Sequence, residues 1–172
     1  MREILFRAKK LNKSVFDETD WVYGSLIDSG NHEQVAIYPW INEASTMSVR
    51  QLVYARMESV IPETVGQFTG LVDKNKVKIF EGDLVKFGID QRLMYVHWNE
   101  ETLTWEITDV GVPACEVNHL TNTFDLGQVQ VESAYGEVFT QVVGNIYDES
   151  DINGRKKYEE VNYTIVYPTS EL

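Results

Sequence analysis

The side chains able to do chemistry are few and scattered along this chain. Three histidines, His32, His97 and His119, lie far apart, without the short spacing at which paired ligands grip a metal. The one cysteine, Cys115, excludes an internal disulfide and an all-cysteine zinc site within one chain. His119 stands four residues beyond it and could act as its base only on a helix, which PACEVNHLTNT does not resemble. Cys115 is therefore read as a small apolar residue. Asp73, Glu81 and Asp83 could be grouped as a carboxylate cluster for metal or acid–base chemistry. All three stand at predicted turns, where such side chains accept backbone N–H groups, so a structural role is expected for them. No phosphate loop of the GxxxxGK[ST] or GxGxxG kind and no GxSxG elbow occurs, and the serines have no evident base. The expectation is a protein without catalytic residues, cofactor or metal.

Charge narrows the partners. The 172 residues carry 15 Lys and Arg against 27 Asp and Glu, a formal net charge of −12. Affinity for DNA and RNA comes largely from basic side chains displacing counterions, so general nucleic-acid binding is not expected. The one basic cluster, Arg155-Lys156-Lys157, sits beside Glu159 and Glu160 and reads as solvated surface. Four tryptophans and nine tyrosines could form a stacking platform for single strands, but such platforms lie in basic grooves. Packing in the core and at interfaces accounts for them better. No apolar stretch approaches the length needed to cross a bilayer, and MREILFRAKK lacks the apolar core of a secretory signal. A cytoplasmic protein without membrane contact is expected.

The elements that position these residues repeat with period two. Ile4 and Phe6 share a side in the opening segment, and Trp21, Tyr23 and Ser25 face away from Val22 and Leu26. Asp28-Ser29-Gly30-Asn31 is a turn cluster, so residues 20–27 and 34–40 form a hairpin. Residues 44–61 are ambiguous. Leu52, Ala55, Met57 and Val60 could line a helix capped by Ser45, whereas Val53, Ala55, Met57 and Ser59 alternate before Pro62. The strand, over 51–60, is the reading adopted. Further strands are predicted over 66–71, 77–80, 83–87, 92–98, 103–109, 138–147 and 158–167, with an irregular insertion over 111–136. Across the turn Asn99-Glu100-Glu101-Thr102, Trp98 and Trp105 should pack together. The class is all-β with little helix.

One run is distinctive: Phe68-Thr69-Gly70-Leu71, then Asp73-Lys74-Asn75-Lys76, then Ile79-Phe80-Glu81-Gly82-Asp83-Leu84-Val85. It resembles the signature of the YopX family of phage and prophage proteins. The opening Met1-Arg2-Glu3-Ile4-Leu5-Phe6-Arg7-Ala8 and Val142-Val143-Gly144-Asn145-Ile146-Tyr147 are similar to that family's start and closing motif. Trp21-Val22-Tyr23-Gly24 and Pro62-Glu63-Thr64-Val65-Gly66 are similar to its longer members. Lys76 stands where the family usually has glycine, and the chain runs past Tyr147 for longer than the family usually does. The resemblance implies a mostly β fold, a phage or prophage origin, self-association and no established activity. Its structural signature here is Gly70, Asp73, Asn75, Glu81, Gly82, Asp83, Gly144, Asn145 and Tyr147.

These readings combine into an N-terminal β region over 1–62, a YopX-type core over 63–148 and a C-terminal extension over 149–172. By analogy, a Gly-Asp turn feeding aromatic-rich strands points to a small SH3-like barrel or pseudo-barrel, which licenses no function. The expected function is that of an accessory protein acting through protein contacts, as a homo-oligomer and with an unknown host or phage protein. The alternatives are an acidic mimic of nucleic acid that decoys a host DNA-binding enzyme, and a metal-dependent hydrolase using the turn carboxylates.

Overall fold

The computed structural model describes residues 3–12, 14, 19–30, 34–39, 48, 51, 56–88, 91–110, 123–127 and 140–148. They form antiparallel strands almost throughout, and the chain divides into two compact units, Met1–Leu71 and Val72–Leu172. Cys115, His32, His119, the basic cluster at 155–157, most of the 111–136 insertion, the strand predicted over 158–167 and the extension over 149–172 lie outside the described residues.

In the first unit β1 (Phe6–Lys9), β2 (Trp21–Asp28), β3 (Val35–Pro39), β4 (Glu58–Ser59) and β5 (Gly66–Val72) are arranged in the order β4-β3-β2-β1-β5. The expected hairpin is present, with Gly24 opposite Pro39 and Asp28 opposite Val35. Its turn is set by Asp28, whose Oδ1 accepts the Gly30 N–H at 2.8 Å. Alternation decides the faces: Val22 and Leu26 join Phe6, Ala8, Val35, Ile37, Val60 and Val65 in one apolar cluster. On the other side Trp21 receives the Arg7 guanidinium 4.8 Å from its ring centre and the Lys9 ammonium at 5.5 Å. The first strand begins later than the alternation of Ile4 and Phe6 implied, and Ile4 is exposed.

Residues 51–60 are not one strand. Ser48 and Gln51 form a reciprocal capping box: the Ser48 N–H donates to Gln51 Oε1 at 3.0 Å, and the Gln51 N–H reaches Ser48 Oγ at 3.5 Å. Gln51 and Arg56 have helical backbone, and only Glu58–Ser59 pair as a strand. Residues 52–55 lie outside the described set. A single bridge between Lys10 and Val60 ties the chain after β4 back toward β1. Pro62 then opens a 3₁₀ turn, Pro62–Thr64, whose Thr64 hydroxyl accepts the Lys9 N–H at 2.8 Å and donates to the Ile61 carbonyl at 2.7 Å.

In the second unit β6 (Lys78–Phe80) is followed by an antiparallel sheet of β7 (Asp83–Phe87), β8 (Arg92–Asn99), β9 (Thr104–Asp109), β10 (Thr123–Asp125) and β11 (Gln141–Asn145). The order is β10-β9-β8-β7-β11, so β10 and β11 are its outermost strands among the described residues. The expected barrel is thus corrected to two antiparallel sheets not closed into a barrel: among the described residues neither ladder continues round to join its own first strand. Val85, Met94, Val96 and Ile107 are buried on one face of this sheet. As expected, Trp98 and Trp105 pair directly, edge to face, with ring centres 5.0 Å apart.

Candidate functional site

The signature residues stand mainly in two turns and in the strand that meets them. In the first turn the Lys76 N–H donates to the Asp73 carbonyl at 3.0 Å, and the Asp73 N–H to the Val77 carbonyl at 2.8 Å. This is a tight turn closed by a left-handed residue, and Lys76 has φ of 66°. The Asp73 side chain, 1% exposed, organises it. Its Oδ1 accepts the Asn75 N–H at 2.7 Å and the Val77 N–H at 2.9 Å, and its Oδ2 accepts the Val142 N–H at 3.0 Å. The Lys74 N–H also reaches the Thr140 carbonyl at 3.1 Å.

Lys76 sits where the resemblance places glycine, so its strain is measurable. A side chain in the left-handed region costs about 1 kcal/mol, partly offset because glycine loosens the unfolded chain. Lys76→Gly should therefore stabilise the protein by about 0.5 kcal/mol and raise the thermal midpoint by a degree or two. A lowered midpoint would show that the lysine contributes something the turn geometry does not reveal.

The second turn runs Phe80-Glu81-Gly82-Asp83. Asp83, fully buried, accepts the Phe80 N–H on Oδ2 at 2.8 Å. Gly82 has φ of +78°, and its N–H donates to the Val96 carbonyl at 2.8 Å while its carbonyl accepts the Ile146 N–H at 3.0 Å. A Cβ there would also lie 3.2 Å from Asn145 Nδ2, which is buried and has no hydrogen-bond partner among the described residues. Asn145 Oδ1 in turn accepts the Tyr147 N–H at 2.9 Å. In the β7–β11 ladder Asn145 lies opposite Asp83 and Gly144 opposite Leu84, after a register shift between Val142 and Gly144. The closing motif thus docks on both turns: Val142 on Asp73, and Asn145 and Ile146 on Gly82-Asp83. Glu81 is half-buried in the second turn, and Gly70 lies in β5 of the first unit with φ of 91°.

This cluster holds backbone in place. Asp73 accepts main-chain N–H groups on both oxygens and Asp83 accepts one on Oδ2, and no three His, Cys, Asp or Glu side chains gather as metal ligands among the described residues.

The second constellation was only partly visible in the sequence, through His97. On the face opposite Met94 and Val96, Tyr95 and His97 stack with ring centres 5.0 Å apart. His97 Nε2 lies 2.9 Å from Thr108 Oγ1, which lies 3.0 Å from Thr123 Oγ1. Glu106, opposite His97 in the ladder and 7% exposed, accepts Asn99 Nδ2 and the Thr102 hydroxyl, each at 3.0 Å. Thr108 and Thr123 are 4% and 9% exposed, so neither hydroxyl presents itself to a substrate. The signal that could have found this strip is the polar alternation Tyr95, His97, Asn99 against Thr104, Glu106, Thr108.

Burial, and then the negative charge of Glu106, hold the Tyr95 phenol above its usual value of 10.0. The unfolded chain therefore releases this proton before the folded one. Its stabilising contribution is complete below about pH 10 and declines as pH rises from there through the raised folded value. Tyr95→Phe should flatten that alkaline decline, read as the urea midpoint between about pH 9 and pH 11. An unchanged slope would remove Tyr95 as its source.

A third feature is an open apolar cleft of about 360 Å³ in the first unit, lined chiefly by Leu11, Ile27, Val35, Met57 and Val60. No curated protein matches the chain. The family model described as YopX protein matches residues 5–152, a span that holds both turns and the closing strand docked on them. The chain belongs to the YopX family.

Proposed function

We propose that the protein is a non-enzymatic phage or prophage accessory protein of the bacterial cytoplasm, working through protein contacts, first with copies of itself. The observation that carries this reading is the cleft of the first unit. Leu11 and Met57, which line it, are 58% and 41% exposed, and it runs alongside the two-residue edge strand β4. Apolar surface beside a short sheet edge is a common basis for association between chains. A second copy supplies the occupant this reading requires. Light scattering at tens of micromolar should report a species larger than the monomer, and Met57→Lys should reduce it. A monomer throughout would end the proposal.

The charge of −12 favours one second reading, an acidic decoy for a host DNA-binding enzyme. Immobilised protein would then capture basic nucleic-acid enzymes from host lysate and release them as salt rises. Either reading requires that the protein itself give no DNA gel shift at micromolar concentration in about 0.15 M salt. Among the described residues no helix is long and apolar enough to cross a membrane.

A further inference from the structure

The β8–β9 hairpin carries two exposed large apolar side chains at its tip, Leu103 and Trp98. Leu103 is 69% exposed, yet it occupies a left-handed backbone position with φ of 56°. A large apolar side chain there bears strain and gains almost no burial, where glycine would bear none. On the same hairpin the Leu103 N–H donates to the Asn99 carbonyl at 2.9 Å, and the residue before Asn99, Trp98, edge to face with Trp105, is 39% exposed. Glu100 and Glu101 are exposed within the same turn, and no Lys or Arg occurs between residues 93 and 110.

The turn is also held rigid. Asn99 Oδ1 accepts the Glu101 N–H at 2.8 Å and the Thr102 N–H at 3.3 Å. The Thr102 hydroxyl and Asn99 Nδ2 are both anchored on Glu106. A tip fixed in this way loses little freedom on binding, which is what preorganised recognition surfaces share.

We propose that this tip docks a basic segment of a partner protein, with an apolar side chain seated on Leu103 and Trp98 and a Lys or Arg side chain held by Glu101 and the indole face. Charge selects this occupant. Two tips meeting symmetrically would bring four glutamates together, whereas an arginine or lysine is attracted by the carboxylates and the aromatic face alike. The proposal rests on the protein-contact reading above but uses a different surface from the cleft.

The test is a titration of the full chain with a short capped peptide of alternating arginine and leucine, and with its glutamate counterpart. Binding is followed by calorimetry and by the indole N–H signals of Trp98 and Trp105 in NMR spectra. The basic peptide should bind saturably and shift both indole signals, and the acidic one should not. Leu103→Gly, whose backbone suits glycine, should fold as well as the parent and bind about tenfold more weakly, as should Trp98→Leu. Glu101→Gln should weaken binding about twofold, while Glu63→Gln, exposed in the first unit, should leave it unchanged. Equal losses for Glu101→Gln and Glu63→Gln, unmoved indole signals, or full binding by Leu103→Gly would each overturn the proposal. Light scattering on the parent chain separates the two readings: an assembly larger than the monomer beside absent binding of the basic peptide removes only the tip.

Discussion

Asp73→Asn should lower stability by about 3 kcal/mol, and the thermal midpoint by roughly 9 °C for a chain of this length. The wild-type carboxylate accepts three main-chain N–H groups, two on Oδ1 and one on Oδ2, in a site only 1% exposed. Asparagine keeps one acceptor oxygen and turns the other position into a donor. If the oxygen stays with Asn75 and Val77, the new amide faces the Val142 N–H, donor against donor. If it flips, two N–H groups in the turn lose their acceptor instead. Either orientation leaves buried donors unsatisfied, and hydrogen bonds to a charged acceptor are the stronger kind. Amide exchange at Val142 should accelerate in the variant, because the bond it loses spans 69 residues of sequence. A stability within about 1 kcal/mol of the parent would show that Asp73 does not organise the turn.

How far this arrangement was legible depended on whether its cause was local. The strands β5 to β9 could be read because alternation and turn residues lie within each segment, and so could the turn at Asp73. The pairing of Trp98 with Trp105 followed from the short turn between them. The ties from Val142 to Asp73 and from Ile146 to Gly82 were not legible. They depend on which strand sits beside β7, and period-two patterns are alike for every possible neighbour. The strip of half-buried Tyr95 and His97 with buried Glu106 and Thr108 was hidden for the same reason, since a polar alternation looks solvent-facing until register and cover are known. At residues 44–61 the error was of another kind. Ser48-Val49-Arg50-Gln51 has the spacing of a capping box, a local helix-start signal, and the alternation of Val53, Ala55 and Met57 that follows it mimics a strand. The small barrel failed because turn chemistry fixes hairpins without fixing whether the last strand returns to the first.

Gly24→Ala should be as damaging as the loss of Asp73, for a reason that has nothing to do with backbone flexibility. Gly24 lies mid-strand in β2, opposite Phe6 of β1 on one side and Pro39 of β3 on the other, and it is not among the residues with positive φ. What it supplies is space. A Cβ at this position would overlap the Tyr38 carbonyl oxygen, lie 2.6 Å from the Tyr38 carbonyl carbon and 2.9 Å from Ile37 Cγ2. The first two atoms are main chain in the paired strand, and Ile37 is fully buried, so none can swing aside as a surface side chain would. Relief requires β2 and β3 to separate, which weakens the ladder and opens the apolar cluster around Ile37. Overpacking of this kind costs about 3 kcal/mol, with a midpoint lower by roughly 9 °C. Gly30 provides the contrast within the same hairpin: its φ is +92°, but nothing lies within 4 Å of a Cβ built there. Gly30→Ala should therefore cost only about 1 kcal/mol, the strain of a left-handed alanine. Urea denaturation of the two variants, side by side, distinguishes space from backbone freedom. If Gly30→Ala proves the more damaging, the close approach of Tyr38 to Gly24 is not what the Trp21-Val22-Tyr23-Gly24 segment is built around.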